Sequence, residues 1–179
     1  MSGKTYKIAL GGIVSALAVA MMFFGSIIPF ATFVAPAAAS LAVLYFCLEF
    51  TGKTAFAVYA VIAALAVLVS PDKEQALLFA CFFGYYPVVK LALERSLPKA
   101  AAWICKLLVC DTSLFALYYI ITQIFVIDAV REEFAQYTSI LFIVLAVLGD
   151  ITFVIFDLAL TRLSMIYLAR VRPKITKHR

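Results

Sequence analysis

Six long apolar stretches make up most of this chain and limit what it can fold into. Short polar or proline-bearing breaks separate them. The stretches are Ile8–Ile28, Ala37–Phe50, Thr54–Ser70, Ala76–Leu93, Ala100–Ile127 and Ser139–Ile166. A spanning helix needs about 20 mainly apolar residues, and backbone polar groups in lipid must pair within their own segment. The pattern therefore predicts an all-α, multi-pass membrane protein with six transmembrane helices in a compact bundle.

Composition and length agree with this class. Of the 179 residues, 66% are hydrophobic and 14% are charged, whereas soluble domains are about half apolar and a quarter charged. One crossing with its turn uses about 25 residues, so the chain holds at most six or seven crossings. Carriers with ten or more helices are excluded, and we expect a single six-helix domain over residues 1–179.

The second stretch is the shortest of the six and fits a spanning helix least well. The segment before it, residues 26–36, is apolar but contains Pro29 and Pro36, and proline breaks helices. This segment is predicted to be a re-entrant or interfacial loop, and we consider it a candidate lid.

The placement of lysine and arginine predicts the orientation, because cytoplasmic loops collect these residues. With the N-terminus inside, all but Lys73 and Arg131 of the 15 basic residues lie at inner helix ends. Both termini are therefore expected in the cytoplasm, with the protein in the cell membrane. The basic tail, residues 170–179, is expected to attract anionic lipid, and no nucleic-acid binding is expected.

Several motifs suggest chemistry but are incomplete. The turn Thr51-Gly52-Lys53-Thr54 resembles the end of a phosphate-binding loop, but Cys47 occupies the place of the required first glycine. The four cysteines lie in apolar stretches and the one histidine, His178, is near the C-terminus, so no metal site and no cofactor are expected. We predict that the chain is not an enzyme and has no ATPase activity of its own.

Polar residues within the fifth and sixth stretches are candidates for substrate binding, because ionisable groups in hydrocarbon are costly and seldom face lipid. On the fifth, Asp111, Tyr118 and Thr122 share one helical face, flanked by Tyr119 and Gln123. On the sixth, Asp150 lies about as deep as Asp111, roughly 20 Å from the inner side. The outer turn adds Asp72 and Lys73. Together these residues predict a cavity open to the outside, although interhelical hydrogen bonding explains each residue equally well.

Aromatic residues in the fourth stretch form a second candidate surface. Pro87 is expected to kink the helix and Gly84 to permit a close approach. Tyr85 and Tyr86, beside the kink, suit stacking on a flat ligand, and they also suit ordinary packing.

Three further charged residues, Lys90, Lys106 and Asp157, lie near the inner boundary. Long basic side chains at that depth snorkel or pair, so we interpret these three as structural.

Two carboxylates at one depth are also the catalytic groups of an intramembrane aspartyl protease. Asp111 and Asp150 could serve in that way, but the glycine-x-glycine-aspartate context of those enzymes requires glycine at position 147, where this chain has Val147. The aspartate-glycine run of CDP-alcohol transferases is absent from the sequence.

The first stretch contains Gly12, Ala16 and Ala20, small residues at every fourth position. Such a ridge lets another helix approach closely. It is explained either by packing within the bundle or by docking of a separate membrane protein.

Taken together, these features resemble an S component of the energy coupling factor (ECF) transporters, the small substrate-capturing subunits of prokaryotic vitamin and metal uptake systems. The resemblance rests on six helices, about 180 residues, the Ala16 and Ala20 face and a proline-containing first loop. It implies that the alanine face meets a transmembrane coupling subunit, that two cytoplasmic ATPases supply energy, and that substrate is held toward the outside. The turn at Asp72 and the Gly84–Pro87 segment match no vitamin signature, so the cargo stays open.

The expected function is thus a membrane-embedded substrate-binding subunit of an ATP-driven uptake transporter for a vitamin-like or other small solute. Two alternatives stay open: an intramembrane enzyme that uses Asp111 and Asp150, and a membrane assembly factor without a ligand.

Overall fold

The computed structural model describes residues 3–28, 31–120 and 139–172, and every regular element in these ranges is helical. The α-helices are α1 (Gly3–Gly25), α2 (Ala31–Glu49), α3 (Gly52–Val69), α4 (Lys73–Leu78), α5 (Tyr86–Ser96), α6 (Lys99–Tyr119) and α7 (Ser139–Ile166). Two π-helical turns, Phe79–Phe83 and Tyr167–Val171, follow α4 and α7.

Six segments of the described residues are long and apolar enough to cross a membrane. Five lie on α1, α2, α3, α6 and α7, and the remaining one, Lys73–Ser96, combines α4, the first π turn and α5. Large apolar side chains on these helices are exposed, among them Ile8 and Leu68, each 76% exposed. Such surfaces are typical of contact with membrane lipid. The predictions of an all-helical chain and of six helices long and apolar enough to span a membrane are confirmed. The compact six-helix bundle and the cytoplasmic location of both termini stay predictions.

The predicted loop over residues 26–36 is wrong in its second half. Helix α2 begins at Ala31, six residues before the predicted start, and contains Pro36. Pro36 occupies the second turn of α2, where it removes one backbone hydrogen-bond donor from the helix. Because Pro36 is buried, its packing offsets that loss. Residues 29 and 30 lie outside the described residues, so the proposed lid stays a prediction.

The chain divides into two compact units, residues 1–102 and 103–179. In the first unit α1, α2 and α3 all contact one another, and α2 also contacts α4, the π turn and α5. Helix α3 shows why these helices pack: its buried residues Ala55, Val58, Ile62 and Ala66 recur every three or four positions and form one apolar stripe. The single-domain organisation expected from length stays a prediction.

The second unit contains most of α6 and all of α7. Two pairs of side chains interact between these helices: Lys106 with Asp157, and Asp111 with Asp150. From the first pair to the second, the position advances by five residues on α6 and goes back by seven residues on α7. The two helices therefore run antiparallel.

Candidate functional site

The turn between α3 and α4 contains two of the predicted substrate-binding residues, Asp72 and Lys73. Asp72 caps α4, since its Oδ1 accepts the Gln75 backbone N–H at 3.0 Å and its Oδ2 accepts the Thr32 hydroxyl at 3.3 Å. Lys73 Nζ donates to the Val67 carbonyl at 2.9 Å, one of the last four carbonyls of α3, which lack i+4 donors. Both side chains therefore hold helix ends in place, and their contact with a ligand stays a prediction.

Two buried polar side chains at the same end of the first unit were missed by sequence reasoning. Gln75 is fully buried, and its Nε2 donates to the Ala31 carbonyl at 3.3 Å. Among the described residues, neither Gln75 Oε1 nor Ser70 Oγ has a hydrogen-bond partner. Buried polar atoms are nearly always paired, so these two oxygens add to the candidate site. The spacing of Asp72 and Gln75, cap and third helical residue, resembles a capping box and was the available signal.

The aromatic segment of the fourth span is tightly packed. Gly84 directly follows the π turn, and a Cβ atom at this residue would lie 2.6 Å from the Tyr59 ring and 2.7 Å from the Phe79 ring. The Tyr59 hydroxyl donates to the Ala80 carbonyl at 2.7 Å, which fixes that ring against the turn. The close approach predicted for Gly84 is therefore present.

The two tyrosines after Gly84 differ in their surroundings. Tyr86 is fully buried, with its ring centroid 5.4 Å from that of Phe82, as in ordinary core packing. Tyr85 is half-buried and meets the Tyr59 ring edge-on at 6.1 Å. Tyr85 is thus the more accessible of the two, and the ligand contacts of both stay predictions.

In the second unit, Asp111 on α6 and Asp150 on α7 lie close enough for their carboxyl groups to interact. Asp111 is exposed and Asp150 half-buried. A carboxylate has only acceptors, so a hydrogen bond between two carboxyl groups requires a proton on one of them. The pair can therefore hold a proton, or it can exchange that proton for a cationic group of a ligand.

The aromatic residues farther along α6 continue toward the end of its described part. Tyr118 is 39% exposed and Tyr119 is 57% exposed. Tyr118 is two helical turns from Asp111, on the same side of α6. Thr122 and Gln123, which were predicted to share or flank this face of α6, lie outside the described residues.

The second unit also contains a buried ion pair. Lys106 Nζ is 3.2 Å from both carboxylate oxygens of Asp157, and both side chains are almost fully buried. The ammonium also lies 4.8 Å from the centroid of the Trp103 ring, within range of a cation–π interaction. In the first unit, the buried Lys90 pairs with Glu94 at 2.8 Å. These contacts fit the structural interpretation of Lys90, Lys106 and Asp157.

The small-residue ridge on α1 lies beside the face that packs within the first unit. Ala18 and Met22 belong to the buried core, whereas Gly12 and Ala16 are exposed and Ala20 is half-buried. Among the described residues, no atom lies within 4 Å of a Cβ position at Gly12. Packing within the first unit does not account for Gly12 and Ala16, and docking of a separate membrane protein stays a prediction.

The incomplete motifs have simple structural roles. Thr51 is the residue before α3, and its hydroxyl lies 3.0 Å from that of Thr54 in the first turn. All four cysteines are free thiols, with Cys47 and Cys110 buried. Within ranges 3–28, 31–120 and 139–172, no group of three potential metal ligands occurs.

Comparisons of the chain with protein-family models, with curated proteins and with solved structures give no match. The functional argument therefore rests on the fold and on the contacts described above.

Proposed function

We propose that this chain is a membrane-embedded substrate-binding subunit of an ECF-type, ATP-driven uptake system, oriented with both termini in the cytoplasm of a prokaryotic cell. It captures a small polar or aromatic-ring solute from the outside without chemical change. A transmembrane coupling subunit and two cytoplasmic ATPases, the partners that the resemblance implies, release the solute inside.

The observation that carries this proposal is the exposed ridge of α1. Gly12 and Ala16 are exposed on a helix whose neighbouring face supplies core residues. Small residues at this spacing allow two helices to approach closely, and in lipid such packing drives helix association. A ridge of this kind fits a subunit that docks on a separate membrane protein.

The second support is the group of polar and aromatic side chains in the second unit. The carboxyl groups of Asp111 and Asp150 lie side by side, and the same side of α6 exposes Tyr118. Polar groups and an aromatic ring within a membrane protein are the means by which a site selects a small ligand with hydrogen-bond donors or a cationic group. In this proposal the carboxyl pair recognises such a group and the tyrosine ring packs against the solute.

Docking is tested by co-purification. The chain is expressed in its native host with an affinity tag, and bound proteins are identified and quantified by mass spectrometry. Ala16→Leu places a branched side chain on the ridge and should lower recovery of a membrane subunit and an ATPase pair at least tenfold. Ala64→Leu, the same change at an exposed position of α3, should leave recovery unchanged. Purification of the wild-type chain without any membrane partner would refute the proposal.

Ligand binding is tested by thermal stabilisation, because a ligand that binds only the native state raises the melting temperature. The purified protein is screened against vitamins, nucleobases and amino-acid derivatives. A hit should be weakened at least tenfold by Asp111→Asn, and Thr112→Ala, at an exposed neighbouring position, serves as the control. A hit that binds both variants as tightly as the wild type would exclude the carboxyl pair from the site.

The proximity of the Asp111 and Asp150 carboxyl groups also favours a second candidate function, an intramembrane protease whose two carboxyl groups share a proton. The same variants separate the two functions. Asp111→Asn and Asp150→Asn would each abolish cleavage of a transmembrane peptide by a protease, whereas in a binding subunit they alter only affinity or stability. Val147, at the position of a required glycine, stands against the protease.

A further inference from the structure

A groove of about 370 Å³ runs along the outer surface of the first unit between α1 and α3. Its α1 wall extends from Lys7 to Ser15, and its α3 wall extends from Thr54 to Val61. Except for Lys7 and two hydroxyl groups, its lining consists of glycine and aliphatic side chains. The groove is therefore an apolar channel with a cation at one end.

Two consecutive glycines, Gly11 and Gly12, line this groove. The Cβ position of Gly11 lies at ordinary contact distance, 3.6 Å, from Val58, and the Cβ position of Gly12 has nothing within 4 Å. Any larger residue at Gly12 would project into open space where the groove lies. The neighbouring Val61 is 49% exposed on the opposite wall. The shape thus depends on a missing side chain at one residue of α1.

The dimensions fit an extended hydrocarbon chain. The α1 wall is about 12 Å long, because Lys7 and Ser15 are eight positions apart on the helix. One leaflet of a bilayer has a hydrocarbon depth of about 15 Å. The lining therefore matches an extended hydrocarbon chain in length and in apolar character.

The charge at one end selects the kind of lipid. Lys7 Nζ lies 5.4 Å from the centroid of the Phe50 ring, which positions the ammonium beside the groove. A second exposed lysine, Lys53, directly precedes Thr54 of the lining. Basic groups at the edge of a transmembrane groove attract anionic headgroups, chiefly at the cytoplasmic leaflet, which is where the predicted orientation places Lys7.

We propose that the α1–α3 groove binds one acyl chain of an anionic phospholipid, whose phosphate lies against Lys7. This site is separate from the site of solute capture, and it shares with the proposed function only the predicted orientation of the chain and one residue, Gly12. Gly12 belongs both to the docking ridge and to the groove lining, whereas Ala16 and Ala20 do not line the groove.

Native mass spectrometry of the purified protein in detergent tests the proposal. Dipalmitoyl phosphatidylglycerol and dipalmitoyl phosphatidylcholine are titrated separately, and glycerol 3-phosphate serves as a headgroup without chains. The wild type should bind one phosphatidylglycerol. It should bind phosphatidylcholine about fivefold more weakly, because the choline cation offsets the attraction between the phosphate and Lys7, and it should not retain glycerol 3-phosphate.

Two variants fill the groove from opposite walls. Gly12→Leu and Val61→Trp should each weaken phosphatidylglycerol binding at least tenfold. Their controls, Ala9→Leu and Leu65→Trp, alter exposed residues of the same helices outside the lining and should stay within twofold of the wild type. Circular dichroism verifies the helical content of all four variants, and the two filling variants provide independent readings of the same site.

The headgroup contact is tested by Lys7→Gln, which should weaken phosphatidylglycerol binding about fivefold and remove the preference over phosphatidylcholine. Lys99→Gln, at an exposed lysine that begins α6, is the control. The proposal is overturned if both filling variants bind phosphatidylglycerol like the wild type, if the controls lose it equally, or if the wild type does not distinguish the two lipids. It is also overturned if Gly12→Leu releases a bound protein while lipid binding is unchanged.

Discussion

The buried pair of Lys106 and Asp157 permits a quantitative prediction. Asp157→Asn preserves the shape of the side chain but leaves the Lys106 ammonium buried without its carboxylate, and breaking a buried pair in this way typically costs about 3–5 kcal/mol. Both N···O distances are 3.2 Å, longer than the 2.7–2.9 Å of a strong charge-assisted bond. The Trp103 ring continues to face the ammonium in the variant. We therefore expect a loss near the lower limit, about 3 kcal/mol of unfolding free energy.

A double-mutant cycle measures this term. Lys106→Met and Asp157→Leu are made singly and together, and unfolding is followed by circular dichroism as sodium dodecyl sulfate replaces a mild detergent. Because an apolar pair of similar volume removes both desolvation costs, the double variant should recover to within about 1 kcal/mol of the wild type. The reasoning is refuted if each single variant loses less than about 1 kcal/mol, or if the two effects are additive.

Two further predictions concern the first unit and use the same unfolding assay. Gly84→Ala should destabilise the protein by about 1–3 kcal/mol, because the new methyl group would overlap the Tyr59 ring at 2.6 Å; Gly12→Ala, with open space around it, should be neutral or stabilising, and equal effects would contradict the packing argument. Asp72→Ala should lower the free energy of unfolding by about 1 kcal/mol, because α4 loses its N-cap, whereas Asp72→Asn can still cap and should lower it less. An Asn variant as unstable as the Ala variant would show that charge matters more than capping.

Helix positions were predictable because length and apolar content alone decide whether a segment can span a bilayer. The sixth stretch was predicted from Ser139 to Ile166, and α7 has these bounds. The start of α2 was not predictable from the rule that proline ends helices, because a proline in the second turn removes only one hydrogen bond. The π turn at Phe79–Phe83 has no sequence signature, because the extra residue is accommodated by packing.

The candidate site was predictable only in part. Spacing and depth placed Asp111 and Asp150 at one level, and their carboxyl groups do meet. Spacing could not show that Asp72 and Lys73 hold helix ends, since that depends on backbone groups of neighbouring helices. Gln75 was missed because it lies in the polar break before the fourth stretch, where a side-chain amide is expected to face solvent, and periodicity does not report its burial.

The π turn in the fourth span also determines how this segment responds to changes in length. A π turn holds one residue more than the α-helical turn that it replaces, so deletion of a single residue between 79 and 83 can restore regular winding with little rotation of the following half-helix. Each α-helical residue turns the chain by about 100°, so a deletion in the regular part of α4 would rotate that half-helix and move Tyr86 and Lys90 from the interior toward the surrounding lipid. A chain shortened by one residue should therefore fold best when the residue is removed from the π turn.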